Sequence, residues 1–91
     1  MIRTVKVNIT GYVQGVGFRY FALQEARNSN VNGYVKNLYD GSVEVVAQGE
    51  EQEVARYLSV LKEGPRFGHV DDFNTEEVIS DNLYQNFRVE Y

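Results

Sequence analysis

The chain has 91 residues, enough for one domain around a single core. Hydrophobic residues make up 43%, aromatic residues 13%, and glycines outnumber prolines 8 to 1, a balance that speaks against disorder; with no cysteine there is no disulfide framework, thiolate zinc site or cysteine nucleophile. A formal net charge of −4 weighs against nucleic acid, whose binding rests on neutralising phosphates, and no apolar run approaches the ~18 residues of a membrane span.

The first residues, Met1 to Lys6, read as a strand and not as a signal peptide, so a cytoplasmic protein is expected. Val5, Val7 and Ile9 alternate with Lys6, Asn8 and Thr10, the period of a strand with one buried face. The strand runs into a glycine-rich stretch, Gly11 to Gly17, and then into a helix from Phe18 to about Asn28, where Phe18, Ala22 and Ala26 recur at i, i+4. Val31, Gly33 and Val35 mark a second strand closed by the turn Tyr39-Asp40-Gly41, and Val43, Val45 and Ala47 continue as its hairpin partner. Gly49 to Glu53 opens a second helix with acids in its first turn, Val54, Tyr57, Leu58 and Leu61 form its apolar stripe, and Gly64-Pro65 ends it. Phe67 to Val78 alternates weakly, as in an irregular strand, and Phe87, Val89 and Tyr91 form a short last strand. The order β-α-β-β-α-β with a small extra strand predicts an α+β, ferredoxin-like βαββαβ sandwich over residues 1–91, two helices on one face of a mostly antiparallel sheet. Such a fold decides no function by itself.

The glycine stretch is the first candidate site. Glycines let the backbone turn tightly and approach a ligand, and a helix starting at Phe18 presents free N–H groups and the positive end of its dipole to an anion. Lacking the Lys-Ser/Thr of a Walker loop and the third glycine of a dinucleotide fingerprint, it is a poor site for ATP or NAD. The same glycines also suit a plain strand-to-helix turn. Arg19 favours the anion reading, because an arginine at a helix start opposes the dipole unless an anion sits there. Asn37, at the end of the Val31, Gly33, Val35 row, is the second candidate: its place before the turn favours a turn cap, and its amide, which donates and accepts, is also able to hold a water in one orientation. Neighbouring strands are expected to bring it beside the cradle. His69 reads as a surface or loop histidine, Asp71, Asp72, Glu76 and Glu77 as a solvated strand face, and the 7 tyrosines mostly as sheet or core packing.

These residues resemble the acylphosphatase family. Ile9-Thr10-Gly11-Tyr12-Val13-Gln14-Gly15-Val16-Gly17-Phe18-Arg19 is similar to the family's first signature, and Gly33 to Val43 followed by Gly49 is similar to its second; the likeness covers most of the chain and thins from Arg66 to Asn86. The resemblance implies hydrolysis of an acyl phosphate to a carboxylate and inorganic phosphate, with neither metal nor cofactor. It further implies that Gln14, Gly15, Val16, Gly17, Phe18 and Arg19 bind the phosphoryl group and that Asn37 positions the attacking water, in a protein expected to be a monomer with inorganic phosphate or another small anion as its other ligand. Two competing readings are binding modules on the same fold. An RNA-recognition type needs aromatics on exposed central strands and a basic face, whereas Phe18, Tyr20 and Phe21 fall in a helix of an acidic chain; an anion-binding domain without catalysis is the other.

Overall fold

The computed structural model describes residues 1–79 and 81–91. In chain order it contains β1 (Ile2–Tyr12), α1 (Phe18–Asn28), β2 (Asn32–Asn37), β3 (Val43–Glu50), α2 (Glu51–Glu63), β4 (His69–Glu77) and β5 (Phe87–Glu90). The strands form one mixed sheet in the order β4-β1-β3-β2-β5, in which only the β2–β5 pairing is parallel. The expected ferredoxin-like sandwich is thus present, with β5 as an added edge strand.

Alternation dictates the layers. Val5, Val7 and Ile9 of β1, Val43, Val45 and Ala47 of β3, and Val35 of β2 are each fully buried and face the helices. From the helices, Phe18, Ala22 and Ala26 of α1 meet Val54, Tyr57 and Leu61 of α2 across the same core. The Tyr57 hydroxyl donates to the Ala22 carbonyl at 2.8 Å, tying the helices together, and burial raises its phenol pKa.

Three boundaries differ from the sequence reading. Gly49 lies in β3 opposite Arg3, so the ladder continues to Glu50 and the helix begins one residue later. Tyr91 lies beyond β5, although its side chain matters below. The weakly alternating stretch after Gly64-Pro65 is β4, an edge strand antiparallel to β1, and its pattern is faint because most of its side chains are exposed and a bulge opposite Thr10 and Gly11 breaks the register. Before β5, Gln48 fastens the returning chain: its Nε2 donates to Thr4 Oγ1 and to the Asn82 carbonyl, both at 2.9 Å, and its Oε1 accepts from the Tyr84 amide at 2.8 Å.

Among the tyrosines, Tyr57 is buried, whereas Tyr12, Tyr20, Tyr39 and Tyr91 are exposed. Packing therefore accounts for fewer of them than the alternation suggested. A hydroxyl lets a tyrosine stand in water at little cost, so its place in a row says less about burial than a valine's does.

Candidate anion and water site

Loop 13–17 leaves the end of β1 and crosses to α1. Gly15 and Gly17 both take left-handed φ values, 78° and 79°, and Gly17 is the N-cap of α1, with no side-chain cap bond. A Cβ at either position would meet nothing within 4 Å, so open space lies in front of both glycines. Gly11 is different. It sits in β1 at the bulge with φ of 131°, where a Cβ would collide with the His69 carbonyl, so it serves strand pairing and not the cradle. The first amide bonded within α1 is that of Phe21, to the Gly17 carbonyl at 3.0 Å, which leaves the amides of Gly17 to Tyr20 without intrahelical acceptors.

Arg19 stands in that first turn. Among the described residues it forms no ion pair with a carboxylate; its guanidinium stacks on the Tyr91 ring, 5.3 Å from the centroid. Stacking occupies one face of the fork and leaves its N–H donors for a ligand. With no acid in the first turn of α1, the field at the helix start is uncompensated.

Asn37 ends β2 on the helix-facing side. It shares one cavity of about 290 Å³ with Gly15, Gly17 and Arg19. Its Oδ1 is buried without a hydrogen-bond partner, among the described residues the one buried side-chain polar atom in that state. Buried acceptors are normally satisfied, so this one is suited to a donor supplied by a ligand or water.

The route by which Asn37 reaches the cradle is not the expected one. β1 and β2 are not neighbours, since β3 runs between them. The loop after β1 instead arches over the end of the β2–β3 hairpin, where Gln14 Nε2 donates to the Leu38 carbonyl at 2.9 Å and the Ser42 carbonyl at 2.8 Å. The Gln14 side chain is thereby committed to the hairpin, which leaves only its backbone for an anion. The hairpin is braced to receive it: Asp40 Oδ1 accepts from the Ser42 amide and hydroxyl, which lowers the Asp40 pKa, and Asn8 Nδ2 donates to Ser42 Oγ at 3.1 Å.

Of the other predicted phosphate contacts, Val16 is half-buried beside the core and Phe18 is buried within it, so these two can offer an anion only backbone amides. His69 opens β4, mostly exposed and 3.1 Å from Asp71, away from the cavity. Asp72 and Glu76 are solvent-facing on the same strand, and Glu77 pairs with Arg3 at 2.6 Å. A larger cleft of about 630 Å³ is lined by Met1 to Thr4, Glu51, Glu77, Val78, Ile79 and Leu83, but its arginine, Arg3, is already held by Glu77.

The sequence reading missed five residues that line the cavity, Val13, Tyr20, Leu23, Val89 and Tyr91. A signal was available for two of them. Gly33 pairs with Phe87 and Val35 with Val89 in parallel register, so one further step sets Tyr91 beside Asn37. Leu23 follows Arg19 by four residues and shares its helix face.

Fold and cavity together define a small α+β protein in which a glycine loop, a helix start and one arginine line a common cavity. The acylphosphatase family model matches residues 5–89, and the chain belongs to that family. It is 43% identical over 89 residues to an acylphosphatase of Caldanaerobacter subterraneus subsp. tengcongensis, covering 98% of this chain and 99% of the relative. An acylphosphatase of Oceanobacillus iheyensis is 43% identical over 91 residues, covering 99% of this chain and 100% of the other. The crystal structure of acylphosphatase from Bacillus subtilis superposes with a TM-score of 0.94 at 36% identity, with both chains covered in full.

Proposed function

We propose that the protein hydrolyses the carboxyl-phosphate bond of acyl phosphates, with Arg19 and the amides of residues 15–19 binding the phosphoryl group and Asn37 orienting the attacking water. The observation that carries these roles is that a guanidinium with free donors and a buried, unpartnered carbonyl oxygen line one cavity at a helix start. All of these groups come from a single chain, which fits a monomer working on a soluble metabolite in the cytoplasm.

The chemistry suits this set of groups. Water donates one hydrogen bond to Asn37 Oδ1, which aims an oxygen lone pair at phosphorus. As the P–O bond to water forms, the P–O bond to the acyl group breaks and its electron pair leaves with a carboxylate. A carboxylate has a pKa of ~4 and needs no proton to depart, so no general acid is required. Negative charge on the three equatorial oxygens meets Arg19, the loop amides and the start of α1, already oriented before the reaction. The proton lost by water goes to the released phosphate or to solvent. Phosphate monoesters, whose alkoxide leaving groups do need a donor, should be poor substrates.

The test is phosphate release from acetyl phosphate in EDTA. Wild type should turn over, and Arg19→Ala, losing a charge-assisted fork of about 1.5 to 3 kcal/mol, should fall at least roughly 10-fold in kcat/KM. Phosphate binding without turnover would identify a binding module instead.

A further inference from the structure

Apart from Gly15, Gly17, Arg19 and Asn37, the residues that line the cavity are apolar or aromatic. Leu23 from α1 and Val89 from β5 supply aliphatic wall, Tyr20 and Tyr91 supply rings at the mouth, and Arg19 is the one charged residue among those that line it. Val89 is placed there by its pairing with Val35, two residues before Asn37, so the wall begins where the water-orienting amide ends. A phosphoryl group held by Arg19 and the loop must direct its acyl substituent either along this wall or into solvent. Because Arg19 is taken by the phosphoryl group, a second anionic group on the acyl chain meets no lining cation.

Resting on the reading of the cavity as an acyl phosphate site, we propose that Leu23 and Val89, flanked by Tyr20 and Tyr91, form the acyl subsite, and that the enzyme selects uncharged apolar acyl groups over dianionic ones. A cavity of about 290 Å³ suits a small compact acyl group of this kind. Each methylene or ring carbon buried on the wall is worth about fourfold in kcat/KM. Leu23 and Val89 are the informative positions, because Tyr91 also stacks on Arg19 and a change there mixes acyl selection with phosphate binding.

The experiment compares benzoyl, acetyl and succinyl phosphate on the same enzyme by phosphate release, reading ratios of kcat/KM. Intrinsic leaving-group reactivity differs between these acyl phosphates but cancels when variant ratios are divided by wild-type ratios. The benzoyl-to-acetyl ratio should fall about fourfold or more in Leu23→Ala and in the near-isosteric Val89→Thr, while Leu23→Lys should raise the succinyl-to-acetyl ratio. Acetyl phosphate turnover in each variant reports that the fold and the phosphate cradle persist. Ratios that stay at wild-type values in all three variants, or a wild type that prefers succinyl phosphate, would overturn the acyl subsite while leaving the hydrolase reading intact. Failure of the wild type on all three acyl phosphates would overturn both.

Discussion

A carbonyl oxygen buried with no donor costs about 1 to 3 kcal/mol, and Asn37 Oδ1 is in that state. A water held there would offset that cost, as the role proposed for Asn37 requires, whereas a turn cap would leave it uncompensated. Asn37→Ala removes the unsatisfied acceptor together with the aim of the water. Its kcat on acetyl phosphate should drop with KM little changed, and its stability to urea should match or exceed that of the wild type. Kinetics and denaturation of the same preparation check both halves. A loss of stability above ~1 kcal/mol with kcat intact would make Asn37 a turn cap after all. Arg19 is set against the dipole of its own helix and stacks on an exposed Tyr91, so the proposed role gives it the anion that its position otherwise lacks.

At the scale of elements, the loop after β1 is held over the turn of the β2–β3 hairpin, whose β3 strand also pairs with β1. Gln14 supplies that hold through two bonds from one nitrogen to the Leu38 and Ser42 carbonyls. Gln14→Glu would exchange this donor for a carboxylate facing two carbonyl oxygens, and should cost about 1 to 3 kcal/mol of stability. It should also lower kcat/KM on acetyl phosphate, since the cradle would no longer be fixed over Asn37. Urea unfolding and initial rates measure this, and a Gln14→Glu protein as stable and active as wild type would show that the loop holds itself. The same region shows what a sequence can display. The valine rows of β1, β2 and β3 were legible because period-2 alternation writes burial directly into residue type; Arg19 stood out by opposing its helix dipole, whereas Asn37 suited a turn cap and took its proposed role from the family resemblance. Strand order was not, because nothing in β1 or β2 records that β3 lies between them; the role of Gln14 was hidden with it. β4 was faint because an exposed edge strand has no buried row to announce it, and the exposed tyrosines misled because their pattern is compatible with water.

At the scale of the whole molecule, a chain of net charge −4 repels anions in general, so any affinity for phosphate has to come from the local field at the start of α1 and Arg19. The exposed acids of β4 lie on an edge strand one position outside β1, which leaves the cavity lining with Arg19 as its charged residue. Phosphate that binds the folded protein and not the unfolded chain stabilises it by mass action. At ten times its dissociation constant, that amounts to about 1.4 kcal/mol, or a rise of roughly 6 to 11 °C in Tm for a domain of this size. Phosphate also strengthens apolar burial generally, so the thermal scan needs two controls, sulfate at matched ionic strength and the Arg19→Ala variant. In wild type, the rise with phosphate should saturate at millimolar or lower concentration. In Arg19→Ala only the shallow, non-saturating increment common to excluded salts should remain. An equal saturating rise in both proteins would place the anion elsewhere, on the Arg3 side of the sheet or on exposed lysines, and would detach the cradle from the function assigned to it.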